Sequence, residues 1–433
     1  MPSARISWIS WLLNRPFDPT GRIGKLARII DALMVPAIHS GEADRIEPLL
    51  GQFTDREISF LSPTTILGLT RLLLENAYTR SSENLILRYV GRQGRRHRLL
   101  YFLEPLVELD RRGVLTEGPL LEFCAQFRPP SSLLALNWLS QEYKPADEAD
   151  QRNFRRFIIA PLRALSQHAK NLMDIRFSPN QRAALQAEIR THLAEGRPLS
   201  LLRLGDGEAF PYPAPEADGI AASVFEQDDE NFERSYLSLN RSPTADQARE
   251  KLIGDFRQAV ARCDILGFPS VFRIVRNLGT PHTRYGERRN QRAFLRILGA
   301  LGTEIPFGHK IFTEERCHRI RGAMDEPFVL ELASQARSVV LVSRWPEIQS
   351  RFSAKSSLIL VPPRKKALYR TYPEVAERIC ELSRPGTLVL IGAGVPAKIM
   401  ADRARQSGAV ALDVGSLMDY MVGQKTRTIG DMT

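Results

Sequence analysis

Two carboxylates and two glycines close the apolar run in Leu199–Pro213, LSLLRLGDGEAFPYP. Asp206 and Glu208 flank Gly207, Gly205 precedes them, and Arg203 stands three residues before Asp206. Acids two apart on a turn can point at one site, and they repel each other unless a cation or a proton lies between them. Oxygen ligands without His or Cys suit Mg²⁺ or Mn²⁺ shared with phosphate oxygens. The same residues also make an Asx-type turn with solvated acids. Both readings stand at this point. An apolar run ending in such a turn belongs to a buried strand, and ligands of open α/β sheets gather at the carboxyl ends of strands.

A second candidate is TLVLIGAGVPAKIMADRARQSGAVALDVGS, with Gly392-x-Gly394-x-x-Ala397 and with Asp413 19 residues after Gly394. Glycine backbone at a helix N-terminus accepts phosphate, and an acid at the next strand end meets a ribose edge. Only 20 residues follow Asp413 in this sequence, too few for a second mononucleotide-binding half. The expectation is therefore a nucleotide-binding or structural glycine turn, not an NAD(P) enzyme. A third is LVPPRKKALYRTYPEV, where Arg364, Lys365 and Lys366 follow a strand. Those cations can clamp a diphosphate or simply form a solvated loop. His309 and His318 are nine apart and more in keeping with structural roles. No G-x-S-x-G nucleophile turn and no Walker A sequence occurs.

These motifs need strands and helices to position them. From Leu199 onward, LSLLRLG, CDILGFP, SVVLVS, SLILVPP, TLVLIGAG and AVALDVG read as strands. Helical stretches such as ADQAREKLIGDFRQAVARC and YPEVAERICELS lie between them. Unbroken apolar strands alternating with helices mean a parallel, doubly wound sheet covered on both faces. Residues from about 20 to 145 read instead as short amphipathic helices, among them GRIGKLARIIDALMVPAI, SPTTILGLTRLLLENAYTR, RRHRLLYFLEPLVELDRRG and PPSSLLALNWLSQEY. The polar stretch QEYKPADEADQRN, 141–153, reads as a linker. Helices over about 154–173 and 179–194 follow, the second closed at Gly196.

The 433 residues exceed one ordinary domain. The expected organisation is an all-helical accessory domain over 1–150, a connecting helix over 151–175 and an α/β domain over 176–433. The net charge is +11, carried mostly by scattered arginines without interleaved aromatics, so a nucleic-acid platform is not expected. Cys124, Cys263, Cys317 and Cys380 form no C-x-x-C pair, which points away from zinc and redox motifs and toward a reducing cytoplasm. The apolar run Ile6–Leu13 is too short to span a bilayer. Trp8, Trp11 and Leu12 would suit either a docking helix or peripheral contact with the inner membrane face.

The stretch LSLLRLGDGEAF, together with LVLIGAGVPAKIMADRARQSGAVALDVGSLMDYM and the proline-basic loop, resembles the GT-D glycosyltransferase family over roughly 199–420. The resemblance implies a Rossmann-like fold that moves a sugar from a nucleotide diphosphate donor, UDP-sugar first, to a glycan, lipid-linked or protein acceptor. It implies that Asp206 and Glu208 are catalytic and hold Mn²⁺ or Mg²⁺ against the donor diphosphate. Arg203, Gly205, Gly207, Lys365, Gly392, Gly394 and Asp413 would line the donor site. Two departures stand out: Lys366 replaces an expected asparagine, and GSLMDYM replaces the G-H-x-D-x-E-Y ending. The competing reading is a non-catalytic scaffold with a degenerate nucleotide-binding domain, against which the intact D-G-E argues.

Overall fold

All six apolar runs read as strands become strands of one parallel sheet in the computed structural model of the chain. The described residues are 43–51, 53–55, 58, 61, 63–76, 78–90, 99, 102, 106, 109–110, 113, 115–116, 118–125, 145–169, 171–173, 175, 179–236, 243–269, 285–314, 324–352, 355–362 and 365–424. The chain divides into two compact units, Met1–Arg128 with Arg427–Thr433, and Pro129–Thr426.

The first unit is helical where described: α1 (Ala43–Leu50), α2 (Pro63–Glu75), α3 (Thr79–Val90) and α4 (Gly118–Ala125). Pro63 opens α2, where its fixed φ suits the first turn. Ile66, Leu69 and Leu73 recur at helical spacing and are fully buried. Tyr78 OH donates to Asp44 at 2.8 Å and Ser81 Oγ to Glu47 at 2.7 Å, which ties the start of α3 to α1. The segments 6–13, 21–38 and 129–143 and most of 95–112, each read as apolar or helical above, lie outside the described residues.

The second unit opens on α5 (Glu148–Phe154), which continues through one π turn (Arg155–Ile159) into α6 (Ala160–His168). Part of the stretch expected as a linker is thus helix. Its acids explain why: the Asp147 side chain caps Asp150 N–H at 2.9 Å, and Glu148 and Asp150 sit in the first turn, where the helix dipole favours them. The expected helix to 173 stops at His168, and β1 (Asn171–Met173) takes its end.

Then come α7 (Pro179–Ala194), β2 (Leu199–Arg203), α8 (Ala222–Tyr236), α9 (Pro243–Arg262), β3 (Ile265–Phe268), α10 (Arg289–Ala300) and β4 (Ile311–Glu314). They are followed by α11 (Glu326–Gln335), β5 (Ser338–Ser343), β6 (Ser356–Leu360), α12 (Lys365–Leu382), β7 (Thr387–Ile391), α13 (Ala397–Gln406), β8 (Val410–Asp413) and α14 (Leu417–Met421). Strand order is β1-β4-β3-β2-β8-β7-β5-β6, every pair parallel. From β2 the chain winds outward through β3 and β4. It then crosses to β5 and β6 and returns through β7 to β8, beside β2. The order therefore reverses between β2 and β8, the position where open α/β sheets bind ligands.

Both sheet faces are covered. Leu199, Leu201, Leu388, Leu390, Val410 and Leu412 pack with residues of α7, α11 and α14 in one core. The helix α13 packs on β2, β7 and β8 from the other face, beside α9 and α12. Gly196, at φ +65°, closes α7 as expected.

Candidate active site

Arg203, the D-G-E turn, the G-A-G turn and Asp413 all come from the carboxyl ends of β2, β7 and β8, adjacent in the strand order apart from their connecting turns. Asp206-Gly207-Glu208 forms a single 3-10 turn after β2. Glu208 reaches back to its own turn, its Oε2 accepting from Gly205 N–H at 2.8 Å while Glu208 N–H donates to Gly205 O at 3.1 Å. Asp206 is half-buried and Gly207 exposed. A Cβ at Gly207 would meet nothing, so no close approach requires that glycine.

The residue that joins these parts is Lys398, in the first turn of α13. Its Nζ lies 2.9 Å from Glu208 Oε1 and 2.9 Å from Asp413 Oδ2, and it donates to Gly394 O at 3.4 Å. The Lys398 side chain is 3% exposed and that of Asp413 2%. Burial alone would push the ammonium's pKa down, but Asp413 and Glu208 outweigh burial and hold it above the usual lysine value. Arg203 Nη2 stands 3.7 Å from Asp413 Oδ1. Gly415 makes room for that guanidinium: a Cβ there would fall 2.1 Å from Arg203 Nη2, on backbone at φ +53°.

The turn after β7 is fixed by backbone. Gly392 N–H donates to Val342 O at 2.8 Å, while Gly394 sits at φ +62° with no atom within 4 Å of where a Cβ would be. Open ground beside Gly394 suits close approach of a ligand to the main chain. The far end of α13 is anchored too: Arg405 donates to both oxygens of Asp264, at 2.6 and 2.9 Å, and Arg262 to Asp402 at 2.7 Å. The segment after the D-G-E turn is held by Arg257 Nε on Pro211 O at 2.5 Å and Arg296 on Tyr212 O at 3.0 Å. Asp218 further along accepts from Arg152 at 2.6 Å.

Sequence reasoning singled out Arg203, Gly205, Asp206, Gly207, Glu208, Gly392, Gly394 and Asp413, and the sheet brings them to one edge. Arg203 is itself buried, at 7% exposure, so it supports the site from below. Lys365 begins α12 after β6, the outermost strand; its side chain, with Pro363 and Arg364, lies outside the described residues. His309 is exposed in the turn entering β4, at the opposite edge of the sheet, and His318 lies outside the described residues.

Lys398 was missed, although its signal was present: one lysine inside the small apolar run Val395–Met400 at a helix start. Arg344 and Trp345, at the carboxyl end of β5, were missed as well. Trp345 Nε1 donates to Asp419 of α14 at 2.6 Å, Arg344 reaches the same carboxylate at 3.3 Å, and its guanidinium lies 4.8 Å from the Trp345 ring centre.

These donors do not fit the divalent ion that the resemblance implies. Each Glu208 oxygen already has a partner, and one partner is an ammonium. At an effective dielectric of about 20, a divalent ion some 5 Å from an ammonium is repelled by about 7 kcal/mol. Among the described residues, no three His, Cys, Asp or Glu side chains gather to hold a metal.

Residues 180–421 match a family described as GT-D-like, a GT-D fold-like domain. That match spans more than half of the chain, and the chain belongs to this family. A solved structure described as a highly conserved domain of unknown function 1792 with a distinct glycosyltransferase fold is 15% identical. It covers 61% of this chain and 87% of that one, at a TM-score of 0.33. A selenomethionine-substituted structure of domain of unknown function 1792 gives the same identity and coverage at 0.34. No curated protein matches the chain. Among the described residues, no helix is long and apolar enough to cross a membrane.

Proposed function

We propose that the second unit is a glycosyltransferase that moves a sugar from a nucleoside diphosphate donor to a hydroxyl of a glycan, lipid-linked or protein acceptor. The observation that carries this reading is the convergence of the D-G-E turn, the G-A-G turn and Asp413 on the reversal point of a GT-D-like sheet. A diphosphate suits the open glycine backbone at Gly394, ahead of α13. In the reaction, the acceptor oxygen bonds to the anomeric carbon as the bond from that carbon to the phosphate oxygen breaks. The nucleoside diphosphate leaves with the electron pair, and the hydroxyl proton passes to a base. Asp206, half-buried at the turn, is assigned to the reacting groups. No step is routed through a divalent ion.

The test is calorimetric titration of UDP into the full chain, repeated with GDP, CMP and dTDP. Turnover of the matching nucleotide sugars is then measured in wild type and Asp206→Asn. One nucleotide should bind. Asp206→Asn should keep that binding within a few-fold and lose about a hundred-fold or more in turnover, the scale of general-base catalysis. Failure of every nucleotide to bind, or near wild-type turnover in Asp206→Asn, overturns the reading. The first outcome moves the working surface to the helical unit.

A further inference from the structure

We propose that Lys398 is the resident cation of this site, taking the place of a divalent ion between Glu208 and Asp413. The inference rests on the crevice being a donor site, but its decisive measurement does not. The Lys398 ammonium touches two carboxylates from two different strand ends, Glu208 after β2 and Asp413 closing β8, each at 2.9 Å. It is itself carried by the helix that follows β7. One cation thus gathers the three chain segments that meet at the reversal point, the task a bridging metal performs in an oxygen-ligand site.

An ammonium has three hydrogens. Here Glu208 Oε1, Asp413 Oδ2 and Gly394 O surround it, at 2.9, 2.9 and 3.4 Å. It donates to Glu208 Oε1 and Gly394 O and pairs its charge with Asp413 Oδ2, so Lys398 is a positioning residue. Glu208 is one too, since its other oxygen holds Gly205 N–H at 2.8 Å and fixes the shape of the turn. The charges agree: Arg203 and Lys398 stand against Glu208 and Asp413. Of the two acids in D-G-E, Glu208 is the one that builds the turn.

The test is Mn²⁺ binding to the full-length protein, read from the electron paramagnetic resonance of the free ion. Wild type, Glu208→Gln, Lys398→Met and the double variant are compared, with circular dichroism to establish folding. With the lysine in place, Glu208→Gln should change Mn²⁺ affinity by no more than about two-fold. Lys398→Met should gain about ten-fold or more, the scale on which a supporting group alters metal affinity, and Glu208→Gln should abolish that gain. A wild-type Mn²⁺ site that weakens ten-fold or more in Glu208→Gln overturns the proposal, as does a folded Lys398→Met without the gain. Should Lys398→Met not fold, the Glu208→Gln comparison decides alone. A parallel titration of UDP with Mn²⁺ or EDTA separates the two readings. If no nucleotide binds, the donor-site reading fails while the Mn²⁺ comparison still stands or falls on its own. UDP binding indifferent to EDTA is expected, and binding lost both to EDTA and to Glu208→Gln overturns the role of Lys398.

Discussion

Replacing Lys398 by methionine keeps most of the side chain's volume and removes its charge. In wild type the ammonium is 3% exposed between two carboxylates at 2.9 Å. Removing one partner of a buried ion pair costs about 3–5 kcal/mol, because the charges left behind are stranded. Two features place this case at the lower end. Glu208 is 16% exposed and can take up some water, and Asp413 keeps Arg203 at 3.7 Å. The expected loss is therefore about 3 kcal/mol, roughly a hundred-fold in the folding equilibrium. The pH dependence follows from the raised pKa of Lys398, whose folded value lies above that of an unfolded lysine, near 10.4. A cation of that kind contributes its full stability below the unfolded value and loses it as pH rises through the folded value. The gap between wild type and Lys398→Met should thus be the same at pH 7 and pH 9, and should close only above about 10.4. Urea unfolding of the full chain followed by circular dichroism reads this directly. A variant within about 1 kcal/mol of wild type at pH 7, or a gap already closed at pH 9, would refute the reasoning that the lysine is held charged between two acids.

Three glycines of the site should rank by what each position demands. Gly415→Ala meets both a left-handed backbone and Arg203, so it should lose more than the roughly 1–2 kcal/mol of backbone strain and also weaken nucleotide binding; Gly394→Ala should lose only the strain, and Gly207→Ala almost nothing. Urea midpoints give the order, and Gly394→Ala costing more than Gly415→Ala would contradict it. Among the described cysteines, burial pushes the Cys124 thiol up to about 12, and burial raises Cys263 despite the opposing Lys310, whereas Cys380 is half-buried. Iodoacetamide at pH 8 on the folded chain should label Cys380 ahead of both, as peptide mass spectrometry would show; faster labelling of Cys263 would count against the closed packing beneath α9.

The central sheet was legible because a strand buried on both faces leaves an unbroken apolar run, and SVVLVS and TLVLI are such runs. The outer strands β1 and β4 were not. NLM is only three residues long, and IFTE has two apolar residues before Thr and Glu, so neither leaves an unbroken apolar run. Helix limits failed where one residue type usually stops a helix. The helical stretch YPEVAERICELS was read from Tyr372, yet α12 begins at Lys365 and runs through Pro373, a residue that usually breaks a helix interior. The acids of 147–150 suggested a solvated linker, when their place was the cap and first turn of α5. In each case the local signal was real and its sign depended on tertiary surroundings.

The same distinction governs the site. Turn chemistry at a strand end is local, so D-G-E and G-A-G could be seen in sequence and placed on one edge by the parallel topology alone. What each acid does there is not local. Glu208 and Lys398 are 190 positions apart, and only the return of β7 and β8 to the side of β2 brings them within 2.9 Å. A pair of carboxylates read without that lysine calls for an outside cation. Read with it, Glu208 is neutralised from within the chain, and the pair no longer calls for an outside cation on that acid's account. The motif therefore specified the strand end and its turn, while the fold specifies that Glu208 is held there by Gly205 and Lys398.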